Sequence, residues 1–291
     1  MFNAAHSART TTFGRGAKII RARGNEPLTL DEIAVATPSV FAIEKHSSRS
    51  ERYTYIPTSD VVRGLQKEGF QPFEVRQGGS KIADKKDFTK HMIRFRHAGV
   101  RALPDSHREV ILVNSHDGTS SYQMFDGVFR IVCCNGLIMA DDNGMDAIKI
   151  PHKGDIVGKV IDAAYTVIEK GQHVGGLIEH IRSIDLRPAE QEAFAEAARE
   201  LRFEEGAADQ LAPALINQAR RRDDVGNDLW KTFNRVQENL VKGGVTYNHT
   251  NANNMVSRRS IRPVNSIDGN VSLNRALWTL TARMAEIKAA A

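Results

Sequence analysis

Between Val110 and Ile150 apolar and polar positions alternate in short runs rich in Val, Ile, Tyr and Phe, interrupted by Asp117-Gly118, Asp126-Gly127 and Asn135-Gly136. Gly and Asn tolerate positive φ, so each pair reads as a hairpin turn. The runs between them read as strands: Val110 to Ser115, Ser121 to Phe125, Val128 to Cys134 and Ala147 to Ile150. Upstream, Lys90 to His97 alternates as well, with His91, Ile93, Phe95 and His97 on one face and Lys90, Met92, Arg94 and Arg96 on the other. After Pro151 and Gly154 the apolar period becomes helical. Asp155 is the expected N-cap, and Val157, Val160 or Ile161, Ala164 and Ile168 form one stripe to lay on the sheet. Strands followed by a helix packed on one face predict an α+β fold, an antiparallel β-meander with a helix on it.

The flanks read more coarsely. Leu30 to Ala36 is a short helix ended before Pro38, and a second helix begins near Ser59 and stops at Gly69, with Val61, Val62 and Leu65 inward. From Gln172 onward the pattern is helical: Pro188 to Phe203, then Asn227 to Lys242 with Leu229, Phe233, Val236 and Leu240 on one stripe, then Leu273, Leu277, Leu280, Met284 and Ile287 on another. Gly243 to Pro263, rich in Asn, Ser, Gly and Arg, reads as a mobile loop. The expected organisation is a flexible basic arm over 1–26, an α+β core over 27–170 and a helical C-terminal region over 171–291.

Charge adds a direction. Lys and Arg number 40 against 35 Asp and Glu, a net charge of +5, which favours acidic partners. Arg9, Arg15, Lys18, Arg21 and Arg23 precede the first acid, Glu26. No apolar run approaches the ~20 residues that span a bilayer, and the N-terminus lacks the apolar segment of a signal peptide, so the expected location is cytoplasmic, without a membrane partner. Cys133 and Cys134 are adjacent on an expected strand and point to opposite faces, which suits small core residues and not a shared metal.

Three chemistries fit the polar residues. Single-stranded nucleic acid is held by cationic grooves that follow phosphates and aromatic faces that stack on bases. Candidate cations are Arg49, Arg52, Lys90, Arg94, Arg96 and Lys153, and candidate stacking residues are Tyr53, Tyr55 and Tyr122. A solvated or ion-paired face and half-buried strand tyrosines are the plainer readings of the same residues. A metal-dependent nuclease or other phosphoester hydrolase would draw on His116, Asp117 and His152, with His46 and Asp155, but the spacing fits no metal motif. Ser115, Ser120 and Ser121 lack a nucleophile elbow. A protein-binding counter-defence module is the third alternative, with the glutamate-rich stretch from Glu190 to Glu205 as its surface. No cofactor and no resident metal are expected, and a homo-oligomer is left open.

Several motifs run in order through most of the chain: Ser50-Glu-Arg-Tyr-Thr-Tyr-Ile-Pro-Thr, Gly69-Phe-Gln-Pro-Phe, Lys90-His-Met, Asn114-Ser-His-Asp-Gly-Thr, Cys134-Asn-Gly-Leu, Pro151-His-Lys-Gly-Asp, Asn227-Asp-Leu-Trp, Arg235-Val-Gln-Glu-Asn, Lys242-Gly-Gly and Ile267-Asp-Gly. On these the chain resembles a domain-of-unknown-function family carried by enterobacterial plasmids and prophages, that of the YfjQ, YafZ and YubP proteins. The resemblance implies a mobile-element setting and no activity. In that setting the expected meander and helix are similar in outline to single-strand-annealing recombination proteins, an analogy of fold alone. The expectation is a binding protein, not an enzyme, with single-stranded DNA as partner.

Overall fold

The computed structural model describes residues 8–13, 17–43, 56–100, 103–130, 136–138, 147–151, 154–204 and 208–290. The chain divides into one unit of 1–134 with 141–172 and a second of 135–140 with 173–291. The strands are β1 (Arg9–Thr12), β2 (Lys18–Arg21), β3 (Phe70–Gln77), β4 (His91–His97), β5 (Ser106–Asn114), β6 (Tyr122–Arg130), β7 (Gly136–Ile138), β8 (Ile148–Ile150), β9 (Thr246–Thr250) and β10 (Val256–Ser260).

In the first unit, among the described residues, seven strands pair antiparallel in the order β1-β2-β3-β4-β5-β6-β8. Register aligns one apolar row across it: Ile20, Val75, Ile93, Leu112, Met124 and Ile148. The helices α1 (Leu30–Ala36), α2 (Thr58–Lys67) and α3 (Ile156–Lys170) supply Ile33, Val61, Val62, Leu65, Val160 and Ala164 to the same core. Each of the Val, Leu and Ile side chains contributes roughly 1.5–3 kcal/mol on burial. α3 is held at both ends. Asp155 accepts from the Gly158 amide at 2.9 Å, and Arg108 donates to the Val167 and Ile168 carbonyls at 3.2 Å, satisfying the open C-terminal turn. At Gly64 a Cβ would lie 2.7 Å from Val157, so the missing side chain lets α2 lie close against α3.

The expected strands from Lys90, Val110 and Ala147 and the capped helix therefore share one antiparallel sheet and its packing layer. Three expectations are corrected. Ser121 to Phe125 and Val128 onward are one continuous strand, because Asp126-Gly127 stays extended: Arg108 on β5 neutralises Asp126 at 3.1 Å, and Gly127 pairs opposite Glu109. The basic arm is ordered over its described strands, since β2 pairs with the open edge of β3, burying Ile20 and engaging Arg21 with Glu74. Gly243 to Pro263 is a hairpin, β9 with β10, instead of a loop.

The second unit carries α4 (Val174–Ser183), α5 (Pro188–Arg202), α6 (Pro213–Ile216), α7 (Leu229–Lys242) and α8 (Ile267–Ala289), with β7 against α8. Trp230 stacks on Phe233, whose ring meets Trp278 edge-on, centroids 5.7 and 6.4 Å apart. α7 is buried on its polar side too. Arg235 donates to the Asp224 and Gly226 carbonyls at 2.7 and 2.8 Å and to Gln191 at 2.9 Å, while the Asn239 amide holds the Ile216 and Gln218 carbonyls at 2.7 and 2.8 Å.

Candidate functional site

The cationic strip expected on β4 is closed to solvent at its centre and only part-exposed at Lys90 and Arg96. Arg94 is 3% exposed. Its Nε meets Glu109 at 2.5 Å, its Nη1 meets Glu74 at 2.9 Å, and its guanidinium lies 3.2 Å over the Phe129 ring. Arg96 donates to Glu109 at 2.7 Å and stacks over Phe73 at 3.9 Å. Glu74 also receives Arg21 and Arg76. Burial alone would raise the pKa of Glu74, but Arg76, Arg94 and Arg21 together hold it far below the usual carboxylate range. The strip is thus an ion-pair network, made by acids on β3 and β5 that only register brings beside β4. Lys90 stands just before β4 and is part-exposed, its carbonyl accepting from the Gly78 amide at 2.7 Å. Arg49, Arg52, Tyr53, Tyr55, Lys153, His152 and His46 lie outside the described residues.

Tyr122 offers no stacking face. It is fully buried at the start of β6, within a polar node on the core side of the sheet. At its centre is the hydroxyl of Thr58, the first residue of α2, 2.9 Å from His91 Nε2, 3.0 Å from His116 Nε2, 3.1 Å from Asn114 Nδ2 and 3.2 Å from the Tyr122 hydroxyl. Valence orders these contacts. His91 Nδ1 faces the Thr89 carbonyl at 3.2 Å and must carry its proton there, so His91 Nε2 accepts the Thr58 hydroxyl proton. Asn114 donates into one Thr58 lone pair. His116 then donates Nε2–H into the other, and Tyr122 gives its proton to the Ile56 carbonyl at 3.3 Å. Burial pushes the His91 pKa down to about 4, against opposing contributions from the Thr89 carbonyl and Asp117, which keeps this ring neutral. All five residues are fully buried, so the node pins α2 to β4, β5 and β6.

The same geometry occupies the candidate hydrolytic residues. His116 serves Thr58, and Asp117 accepts from the Thr119 hydroxyl at 2.6 Å and the Thr119 amide at 3.0 Å. Ser115 accepts from the Ser120 amide at 2.8 Å, closing the turn between β5 and β6. Asp155 caps α3. Among the described residues no group of three or more His, Cys, Asp or Glu could hold a metal ion.

The second unit presents different chemistry on β9 and β10. Residues 243–267 contain no Asp or Glu but include Arg258, Arg259, Arg262 and His249. Every residue of β10 is exposed. None of the three arginines has an ion-pair partner among the described residues; Arg258 reaches only the Thr246 hydroxyl, at 3.1 Å. Register sets Arg259 opposite Tyr247 and Ser257 opposite His249, so a cation and two rings share one face, while Arg258 lies on the other, opposite Asn248. The base of the ribbon is anchored. Gly243, at φ 65° and ψ −155°, leaves no room for a side chain, since a Cβ would sit 2.4 Å from the Ile261 carbonyl oxygen. The Gln210 amide brackets Thr250, accepting from its N–H at 2.6 Å and donating to its carbonyl at 2.9 Å. At the tip, Asn251 accepts from the Asn253 and Met255 amides at 2.9 and 3.0 Å. Sequence reasoning missed these strands because neither face is apolar. The available signal was the paired runs Thr246-Tyr-Asn-His-Thr and Val256-Ser-Arg-Arg-Ser around Asn251-Ala-Asn-Asn.

Residues 45–278 match the family described as "Domain of unknown function (DUF932)". The chain belongs to the DUF932 family. It is 45% identical over 261 residues to UPF0380 protein YfjQ of Escherichia coli (strain K12), covering 89% of this chain and 92% of that protein. UPF0380 protein YafZ of the same organism is similar to the same extent, 45% over 261 residues with the same coverage. No solved structure matches. The DUF932 match takes in β3 to β6, the Thr58 node and the β9–β10 ribbon, so pinned core and basic ribbon both fall within the family's domain.

Proposed function

We propose that this DUF932 protein is a nucleic-acid-binding accessory protein of a mobile element, that single-stranded DNA is its partner, and that the β9–β10 ribbon makes the contact. One observation carries the reading: an exposed, acid-free ribbon displays Arg258, Arg259 and Arg262 without ion-pair partners among the described residues, with Tyr247 beside Arg259. Guanidinium groups that no carboxylate engages are available to phosphates, whereas the buried Arg94 is committed to Glu74 and Glu109. A part-exposed tyrosine next to a cation supplies the aromatic face that stacks on an unpaired base, worth ~1–3 kcal/mol. The mobile-element setting comes from the family resemblance, and recombination or DNA maintenance is the process it favours.

The experiment is a binding series on labelled single- and double-stranded oligonucleotides across salt concentrations. For single strands log K is expected to fall with log salt by about 0.7 per phosphate engaged. Arg258→Ala with Arg259→Ala should weaken binding and flatten that slope by roughly 1–1.5. Tyr247→Leu should cost affinity while leaving the slope almost unchanged. A double variant that binds single strands as tightly as the parent, with the same slope, would falsify the assignment of the ribbon; tighter binding to duplex would overturn the choice of partner.

A further inference from the structure

The first unit holds a cleft of about 290 Å³ whose polar lining comes from Asn25 after β2, Gln71 on β3, Arg96 and His97 on β4, and His107 and Arg108 on β5. Only Nε of Arg96 is engaged, by Glu109, so both Nη groups are without a hydrogen bond among the described residues. The His107 ring has none either. On this side of the sheet four guanidinium groups, Arg21, Arg76, Arg94 and Arg96, surround two carboxylates, Glu74 and Glu109. We propose that the cleft binds a small phosphate monoester, its phosphoryl oxygens held by the Arg96 Nη groups and His107, with the Asn25 and Gln71 amides at the rim.

Charge and shape select this ligand class. The Arg96 cation favours an anion, and the free edge of its guanidinium presents two parallel N–H groups to two oxygens. Donors arriving from three strands and a turn suit a tetrahedral group better than a planar carboxylate. The volume lies at the lower limit of small-molecule sites, which fits a sugar phosphate and excludes a folded polymer. His107 reports occupancy. Burial and then Arg96 push its pKa down; Glu109 opposes this and Arg94 adds to it, and the residue facing it on β6 is the apolar Phe129. A bound dianion reverses the sign of the nearest field, so the pKa of His107 should rise.

The test titrates the full-length protein by histidine-selective NMR with inorganic phosphate, ribose 5-phosphate, acetate and a single-stranded oligonucleotide without terminal phosphate. Both phosphates should raise the His107 pKa by about one unit or more, and acetate at the same concentration should not. His107→Gln and Arg96→Met should each weaken phosphate binding by tenfold or more. His107→Gln disturbs no bonded group, so it tests the cleft even should Arg96→Met unfold. Arg258→Ala with Arg259→Ala should leave phosphate binding intact, which separates this site from the ribbon. No phosphate-dependent shift at His107, a shift unaltered in a folded Arg96→Met protein, or a shift produced by the oligonucleotide alone would each overturn the proposal.

Discussion

Replacing Thr58 by valine keeps the shape of the side chain and removes the oxygen on which the buried node converges. His91 Nε2 then lacks a donor, His116 Nε2–H an acceptor, and Asn114 Nδ2 the acceptor it has in Thr58. A buried polar group left unsatisfied costs about 1–3 kcal/mol. Three such groups set an upper range of about 3–9 kcal/mol, and rotation of Asn114 together with small ring shifts should bring the measured loss to about 3–5 kcal/mol. That is a large part of the ~5–15 kcal/mol that holds an ordinary domain together. Thr58→Ser is the control, because it keeps the hydroxyl and removes one buried methyl, at about 1 kcal/mol. Urea unfolding followed by circular dichroism measures both, with the slope m checked for constancy. If Thr58→Val loses no more stability than Thr58→Ser, the hydroxyl is not the centre of the node and the proton order assigned to it is wrong.

The node also predicts a dependence on pH. His91 has a folded pKa near 4 against an ordinary value of 6.5, so between these values the unfolded chain binds more protons; stability contributed by the neutral ring is complete above about pH 6.5 and is lost progressively as pH falls to about 4, up to ~3 kcal/mol. In Thr58→Val protein that acid loss should be altered, and a parent whose urea midpoint is flat from pH 7 to 4.5 would contradict the burial of a neutral His91. Arg94→Met should cost about 1–3 kcal/mol by taking one charged partner from each of two buried carboxylates, Glu74 keeping Arg21 and Arg76 and Glu109 keeping Arg96, while the salt slope of nucleic-acid binding stays as in the parent; a changed slope with unchanged stability would restore Arg94 as a phosphate contact. Gly243→Ala forces a side chain into backbone geometry almost exclusive to glycine, costing about 1–3 kcal/mol, and amide exchange should speed up in β9 and β10 before anywhere else.

Local pattern determined much of this molecule. Alternation over β4, β5, β6 and β8, the Asp155 cap, and the stripes of α3, α5, α7 and α8 follow from residue type and spacing, because a strand or helix must put its apolar side chains on one face wherever it lies. The family motifs were legible too. The Thr58, His91 and Asn114-Ser-His segments meet in one buried node, and Arg235 and Asn239 pin the ends of loops onto α7.

Register and pairing decided the rest. Asp126-Gly127 carries the composition of a turn, yet Arg108 on the next strand makes it a strand interior. Lys18 to Arg21 looks like part of a basic tail, yet the open edge of β3 takes it as a strand. Arg94 and Arg96 alternate with apolar neighbours just as a solvent-facing cationic strip would, and nothing within β4 says otherwise; Glu74 and Glu109 are 20 and 15 residues away from Arg94 in the chain and become its neighbours only when β3 and β5 pair on either side. The ribbon reverses the case, since its arginines are exposed because no carboxylate from another strand reaches them among the described residues. Alternation tells which face a side chain points to, whereas its charge environment is set by strands distant in sequence. That is why the positions of the cations were readable in the sequence and their availability was decided by the tertiary structure.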